Sequence, residues 1–519
     1  MPDRPGLRPR HVPPRPLAEL LAEARVVATG SDDSVPPGAE LPLVTGITHD
    51  SRQVRPGDVY MALPGAKTHG ARFITAAIEL GAVAVITDPV GVEHADAAAV
   101  PTVVVDDPRA RMGELAAAVY GYPARELLML GVTGTNGKTT TVYMLDAGLR
   151  SAGRRTGLIG TVGTRIGDDQ LDSVRTTPEA TDVHALLAVM REQGVTACAM
   201  EVSSHAMAFG RVDGIVFDVV GFTNLSQDHL DFHADLEDYF AAKAALFTAD
   251  RARRAVVMAD DEHGRRLAQQ TSIPTVVVRS GPTGALPPDD WHVERDGDTA
   301  VLIGSDGSKL ELQVPLPGEF NIANAALAVA MLVAADVPAP TAVAGVGTCS
   351  GVPGRMERVR TDDPRAPVGL VDFAHTPDAI ENVLRALSSR GKLIVVLGAG
   401  GDRDRGKRPL MGEAAARAAD VVIVTDDNPR SEDAATIRAE VLAGARAAAA
   451  PGRTRIVEVG GRRDAIRAAV GMTEGSDDIV VVLGKGHEQG QEIAGVVHPF
   501  DDRAVLRDEL RQWSEENSR

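Results

Sequence analysis

The stretch Gly131-Val132-Thr133-Gly134-Thr135-Asn136-Gly137-Lys138-Thr139-Thr140-Thr141 constrains this chain more than any other. It follows an apolar run, Leu127-Leu128-Met129-Leu130, that reads as a short buried strand. It precedes Val142-Tyr143-Met144-Leu145-Asp146-Ala147-Gly148-Leu149, which reads as a helix. Strand, glycine-rich turn and helix make a phosphate-binding loop. Small residues let backbone N–H groups approach an anion, and the helix N-terminus adds a favourable dipole. Lys138 then reaches the outer phosphates of a nucleotide, and Thr139 offers its hydroxyl to Mg²⁺. The general pattern G-x-x-x-x-G-K-[ST] wants glycine where Val132 stands. A plain tight turn is the bland alternative, and the strand context favours the nucleotide. The loop alone leaves the reaction open.

Length and composition set the frame. The 519 residues suffice for about three domains. Aromatics make up only 3%, so the cores must be built from Ala, Val, Leu and Ile. Lys and Arg number 54 against 72 Asp and Glu, a formal charge of −18. That balance argues against a nucleic-acid or membrane-surface binder, which wants basic patches, but leaves room for a local basic pocket. Two cysteines, Cys198 and Cys349, make a disulfide framework unsuited to this chain. No apolar run approaches membrane-spanning length. Residues 1–16 are rich in Pro and Arg, lack the apolar segment of a secretory signal and read as a disordered tail. The expectation is a soluble, cytoplasmic protein.

Strands alternate with helices throughout, which implies α/β units with parallel sheets. A first, smaller α/β unit covers 17–125, with strands such as Ala82–Thr87 and Thr102–Asp106. A central nucleotide-binding unit covers 126–353, with strands Leu128–Val132, Ala197–Val202, Val216–Phe222 and Ala255–Ala259. Within it the polar patch Ser280–Asp290 reads as a surface loop before a β-rich stretch to Leu316. A third, Rossmann-like unit covers 354–519, with strands Leu393–Leu397, Val421–Thr425 and Ile479–Leu483.

Several polar groups fall at strand ends, where open α/β sheets bind ligands. Glu201 ends Ala197-Cys198-Ala199-Met200 and is followed by Val202-Ser203-Ser204-His205, so it is placed to hold Mg²⁺ on nucleotide phosphates. Asn224-Leu225-Ser226-Gln227-Asp228-His229-Leu230-Asp231 follows another strand, and neutral His229 can ligate a metal, although a lone histidine usually does not. Lys243 is a single cation on an apolar helix, and its residues alone read as a lysine snorkelling to water. Asn321 reads as part of a polar helix cap. Arg355 can neutralise phosphate charge or make a surface ion pair, and Asp372, at the end of Val368–Val371, can accept from a ribose hydroxyl.

Three further loops follow strands of the third unit: Gly398 to Arg408, Asp427-Asn428-Pro429-Arg430, and Gly484-Lys485-Gly486-His487-Glu488. They converge on one sheet edge. Guanidinium forks there bind carboxylates bidentately, and Glu488 binds an ammonium, so the set suits a zwitterion.

Taken in this order the pieces resemble the Mur ligase family, over about Thr48 to Asp502. They include Asp50-Ser51-Arg52-Gln53-Val54-Arg55-Pro56-Gly57-Asp58 and Arg175-Thr176-Thr177-Pro178-Glu179. They are most similar to members that add meso-diaminopimelate to UDP-N-acetylmuramoyl-L-alanyl-D-glutamate. The resemblance implies an ATP site at Gly134, Thr135, Asn136, Gly137, Lys138, Thr139 and Thr140 with Asn321, Arg355 and Asp372. It implies Mg²⁺ held by Thr139, Glu201 and His229. It also implies that Lys243 is carbamylated, turning a cation into an anionic ligand, which replaces the snorkelling reading. Lys138, Glu201, His229 and Lys243 would form the catalytic set. Ser51, Thr176, Thr177, Ser203 and Arg211 match positions that hold the UDP-muramoyl dipeptide. Arg403, Asp427, Asn428, Pro429, Arg430, Gly484 and Glu488 match the diaminopimelate pocket. Lysine-adding relatives lack the Arg430 equivalent, since lysine has no second carboxylate.

The implied reaction is ATP-dependent amide formation through an acyl phosphate, in peptidoglycan precursor synthesis and so in cell shape and division. The implied partners are small molecules only, with no nucleic acid and no membrane span, and the implied state is a monomer that closes its domains. The alternatives are a ligase of the same fold using L-lysine, folylpolyglutamate synthase, or a P-loop ATPase switch without ligation. The Asp50 motif and the first unit argue against the folate reading.

Overall fold

The computed structural model describes residues 8–27, 41–65, 68–94, 99–173, 175–280, 287, 290–296, 299–314, 316–387 and 391–517. Three main sheets organise them, built in turn from residues 46–104, 128–312 and 357–483.

The central sheet forms because its strands are apolar on both faces. Leu128–Thr133 lies in the middle, flanked in parallel by Ala197–Glu201 and Phe217–Phe222. Alternate residues go to opposite faces: Leu130, Val132, Ala197 and Ala199 to one apolar cluster, Met129, Cys198, Met200 and Val220 to the other. Helices cover both sides, which is the usual condition for a parallel sheet. Lys138–Ser151 and Glu319–Ala334 pack together on the first face, and Ala180–Glu192 covers the second. Glu319–Ala334 is alanine-rich, which permits close packing without aromatics. Truncating a large buried residue such as Leu145 to Ala costs roughly 2–5 kcal/mol in such a core.

The expectation of parallel sheets needs one correction here. The central sheet is parallel only in its middle. At one edge Thr156–Gly160, Gly163–Ile166 and Asp169–Leu171 run antiparallel, and at the other Trp291–Asp296, Thr299–Gly304 and Lys309–Leu312 do. Short turns such as Gly160–Gly163 leave no room for a crossover helix, so the neighbours must run antiparallel. The loop expected over Ser280–Asp290 falls mostly outside the described residues.

The third unit has six strands in the order Glu357–Val359, Val368–Asp372, Ile479–Leu483, Leu393–Leu397, Val421–Val424 and Arg455–Glu458, with only the first antiparallel. Ile479–Leu483, last of these strands in the chain, sits between Val368–Asp372 and Leu393–Leu397. The strand ends at Asp372, Leu397, Val424 and Leu483 therefore open toward a common crevice. The first unit is a four-stranded parallel sheet, Gly46–Thr48, Asp58–Ala62, Ala84–Thr87 and Thr102–Val104.

The disordered-tail expectation for 1–16 is corrected over residues 8–16; residues 1–7 fall outside the described set. Arg8 donates to Asp58 at 2.6 Å, the backbone N–H groups of Arg10 and His11 donate to Glu192, and Arg15–Pro16 pairs with Leu43–Val44. A proline- and arginine-rich segment lacks core-forming residues, but its cation and backbone donors find buried or fixed carboxylates.

Candidate active site

The phosphate loop leaves the centre of the sheet with two glycines that no other residue replaces. Gly134 has φ +141°, and a Cβ there would lie 1.9 Å from Thr223 Oγ1. Gly137 has φ +89°, and its Cβ would lie 2.3 Å from Asn324 Oδ1. The loop is braced by the segment after Phe217–Phe222. Thr135 N donates to the Asn224 carbonyl at 2.9 Å, Asn136 N to Asn224 Oδ1 at 3.0 Å, and Ser226 N to Thr135 Oγ1 at 3.0 Å.

Lys138 folds back over this loop, donating to the carbonyls of Gly134 and Thr135 at 2.9 Å each. Burial lowers its pKa, opposed by the charges of Glu201 and Asp228. Thr139 Oγ1 accepts from Arg355 at 3.0 Å. The Arg355 guanidinium stacks 4.4 Å from the Phe373 ring, and its Nε is a buried donor with no hydrogen-bond partner. Such an orphan on a cavity wall fits an anionic ligand.

Glu201 is 1% exposed. Its carboxylate accepts from Thr161 N at 2.8 Å and from Thr161 Oγ1 at 3.0 Å. His229 has φ +55°, and its imidazole is held neutral, pushed down to about 3 chiefly by burial, with Asp228 acting in the opposite sense. Asp228 is the local hub. Lys407 lies 3.2 Å from Oδ1, and His375 lies 3.7 Å from Oδ2. Burial pushes the Asp228 carboxyl up, but His375, His229 and Lys407 outweigh it and hold it well below the usual range.

Lys243 is 1% exposed and does not snorkel. Its Nζ donates to the Gly134 carbonyl at 2.8 Å and sits 4.3 Å from the Tyr239 ring centroid. Burial, reinforced by the charge of Lys138, drives its pKa well below that of a free lysine.

Many of these groups line one cavity of about 1100 Å³ between the central and third units. The cavity wall includes Thr135 to Thr140, Glu201, His229, Asn321, Arg355 and Asp372. It also includes Thr176, Ser203 and Arg211, and Arg403, Asp427, Asn428, Arg430, Gly484 and Glu488. Gly134, Ser51, Thr177, Lys243 and Pro429 are not on that wall. Thr177 lies just behind it, donating to the Glu201 carbonyl at 2.8 Å. Ser51 sits in a separate turn, Ser51–Gln53, of the first unit.

Three sequence expectations change in detail. Asn321 is in the first turn of Glu319–Ala334, and Gly318 is the cap; its amide donates to the Pro317 carbonyl at 2.7 Å. Asp372 already accepts from Met356 N at 2.6 Å and Ala374 N at 2.7 Å, so a ribose would compete for the remaining lone pairs. Glu488 already accepts from fully buried Lys485 at 3.0 Å and from Asn428 at 2.9 Å, which satisfies part of its capacity for an ammonium.

Arg403 and Arg430 flank Gly400, where a Cβ would meet Arg430 at 2.9 Å and Arg403 at 3.8 Å. Arg403 has no carboxylate partner among the described residues. Arg211 is engaged by Glu179 at 2.8 Å. The sequence reading missed Asp228, His375 and Lys407 as a connected set, and Lys485 as the buried partner of Asn428 and Glu488. Asp228, Lys407 and Lys485 each lie inside a motif already singled out, so the signal was present, but the contacts of Lys407 with Asp228 and of Lys485 with Asn428 run between motifs.

Among the described residues no group of three or more His, Cys, Asp or Glu side chains is arranged to hold a metal alone. The expected donors are the Glu201 carboxylate, the Thr139 hydroxyl and the neutral His229 imidazole, all on the cavity wall. That sparse, mainly oxygen set fits Mg²⁺, which keeps waters and takes substrate phosphates rather than an all-protein cage. Among the described residues no helix is long and apolar enough to cross a membrane.

Comparison with known proteins gives the same organisation. Three family models match in series: "Mur ligase family, catalytic domain" over 43–120, "Mur ligase middle domain" over 132–332, and "Mur ligase, glutamate ligase domain" over 354–486. A UDP-N-acetylmuramoyl-L-alanyl-D-glutamate–2,6-diaminopimelate ligase of Streptomyces avermitilis is 53% identical over 97% of this chain and 98% of that protein. A UDP-N-acetylmuramyl-tripeptide synthetase of Leifsonia xyli is 46% identical over 98% of both. A solved UDP-N-acetylmuramoyl-L-alanyl-D-glutamate–2,6-diaminopimelate ligase is 33% identical, with a TM-score of 0.62 over 93% of this chain and 99% of that one.

Proposed function

The chain belongs to the Mur ligase family, and from that premise we propose that it joins meso-2,6-diaminopimelate to the D-glutamate γ-carboxylate of UDP-N-acetylmuramoyl-L-alanyl-D-glutamate, using ATP. It is a ligase of peptidoglycan precursor synthesis. The observation that carries the reading is the shared cavity: a phosphate loop on one wall and two arginines with Glu488 on the other. The first supplies a phosphoryl donor, and the second suits an amino acid with an extra carboxylate.

In this reading Lys138 leaves the Gly134 and Thr135 carbonyls to meet the ATP phosphates, and Arg355 adds its orphan donor. Thr139, Glu201 and His229 would hold Mg²⁺, which when bound would offset the charge crowding of two anions. The γ-carboxylate oxygen attacks the terminal phosphorus and ADP leaves, forming an acyl phosphate. The neutral amine of diaminopimelate then attacks the acyl carbon, phosphate leaves with the bonding electrons, and the amine proton passes to solvent or phosphate. Arg403 and Arg430 bind the far carboxylate, and Asp427, Asn428 and Glu488 bind the far ammonium. Thr176, Thr177, Ser203 and Arg211, with Ser51 at the far end, hold the muramoyl dipeptide.

Lys243 fits a carbamate chemically. A buried amine with a lowered pKa sheds its proton more readily than a free lysine, and the freed nitrogen adds to CO₂ and loses a further proton. The product is an anion beside the phosphate loop, where a protonated amine would crowd Lys138. Cytoplasmic placement belongs to the same proposal, since ATP and the nucleotide-sugar substrate are intracellular metabolites.

The Leifsonia relative shows why amino-acid choice needs a direct test: it stands at 46% identity, and its name leaves the third residue of the tripeptide open. Phosphate release is measured with the muramoyl dipeptide plus either meso-diaminopimelate or L-lysine. Release is expected only with acceptor and amine together, and faster with diaminopimelate. Faster use of lysine would overturn the specificity, and release without acceptor or amine would favour a bare ATPase.

A further inference from the structure

The loop that carries Arg430 is braced from several sides. Arg430 has φ +53°, a left-handed conformation that side chains other than glycine adopt at a cost. One brace on its backbone is a hairpin that follows Glu488, formed by Gly490–Ile493 and Val496–Pro499. Arg430 N donates to the Glu492 carbonyl at 3.0 Å, and Ala494 N donates to the Arg430 carbonyl at 2.8 Å. The two segments thus make an isolated parallel bridge, Arg430 with Ile493.

Two more contacts tie the same strand to the same loop. Glu492 N donates to Asn428 Oδ1 at 3.0 Å, and the Gln491 side-chain amide donates to the Asp427 carbonyl at 2.6 Å. The hairpin's apolar tip, Ile493, Val496 and Val497, is exposed, so it adds little to the core. Its attachments fall on three of the four residues of the candidate pocket's loop: Asp427, Asn428 and Arg430.

We propose that this hairpin is the element that positions the Arg430 guanidinium for the substrate carboxylate, and that Gln491 is a positioning residue for the amino-acid substrate. The inference rests on the reading of Arg403, Arg430 and Glu488 as the amino-acid pocket. Gln491 touches no substrate in this scheme. It holds the Asp427 peptide, which sets the direction from which Arg430 enters the cavity, where Nη1 is already anchored on the Gly401 carbonyl at 2.7 Å.

The test is steady-state kinetics of the full-length enzyme with meso-diaminopimelate, ATP and the muramoyl dipeptide varied in turn. Gln491→Ala and Gln491→Met, the second close in volume but without a donor, are expected to raise KM for diaminopimelate about five- to tenfold, the scale of one lost hydrogen bond. KM for ATP should move less than twofold. Because the effect runs through Arg430, the double variant Arg430→Ala/Gln491→Ala should match Arg430→Ala within about twofold, and strictly multiplicative losses would refute that coupling. Unchanged KM in both Gln491 variants, with Arg430→Ala impaired, would overturn the hairpin's role and leave the pocket standing. Unchanged KM for diaminopimelate in Arg430→Ala would overturn the pocket and this inference with it.

Discussion

Lys407 donates to Asp228 Oδ1 at 3.2 Å, with both side chains nearly sealed from water. Lys407 begins a helix of the third unit, and Asp228 directly precedes His229 in the central one. The pair therefore ties the loop of a candidate metal ligand to the unit that carries Arg403 and Arg430. Other contacts cross the same seam: Asn136 to Asp378 at 3.1 Å, Gln227 to Asp404 at 3.3 Å, and His487 at 3.1 Å from the Thr161 carbonyl.

Removing one member of a buried pair strands the other charge, at about 3–5 kcal/mol. Lys407→Met is therefore expected to lower kcat/KM for all three substrates by tenfold or more, because the two walls of the cavity part together. The double variant Asp228→Asn/Lys407→Met should be less impaired than the two single losses multiplied. Steady-state kinetics of the four proteins checks this, and strictly multiplicative losses would mean that the two residues act apart.

Lys243→Ala should lose most activity, and short carboxylates such as formate or acetate should restore part of it by supplying the missing anion. Depleting CO₂ from the wild-type preparation should lower its rate, and bicarbonate should bring it back. A variant that turns over at the wild-type rate would remove the carbamate from the mechanism.

Arg430→Ala should raise KM for diaminopimelate by about 10- to 100-fold, the loss of one to two charge-assisted hydrogen bonds, and change KM for ATP far less. Equal losses for both substrates would point to a collapsed unit rather than a specific pocket.

Stability should fall in mild acid. His184 is fully buried, one ring nitrogen lies 2.8 Å from the Asp213 carbonyl, and the other is buried without a partner. Burial pushes its pKa down to about 4, with the Asp213 contacts acting in the opposite sense. Unfolded, an imidazole titrates near 6.5. Between 6.5 and 4 the unfolded chain binds the proton and the native one does not, so stability rises with pH across that window and is lost as pH drops through it. At pH 5.5 this one residue accounts for ~1 kcal/mol. Urea midpoints at pH 7.5 and 5.5 should differ less for His184→Gln than for the wild type, and an equal difference would rule out this origin.

The phosphate loop was legible because its chemistry is local. Strand, glycines at positive φ and Lys138 are consecutive, and the spacing carries the geometry. The third-unit loops were legible as a group because each follows a strand, and parallel strands place their ends together. Lys243 was legible only by family resemblance. Its own neighbours in sequence describe an ordinary surface lysine, and nothing local says that its amine is buried against the Gly134 carbonyl. The ordered residues 8–16 were misread for the same reason, since Arg8 and Asp58 are far apart in sequence.

Patterns within a few residues thus sufficed for the α/β class, the nucleotide loop and the family. Backbone conformation and helix dipoles depend on near neighbours, so short motifs encode them. The tertiary structure decided which groups meet: Lys407 with Asp228, Lys485 with Asn428, and the hairpin strand with Arg430. Those contacts join segments up to about 180 residues apart, and a buried charge or amine takes its pKa from whatever the fold packs against it. The order of residues names the groups that can react, and packing decides their charge, their reach and their partners.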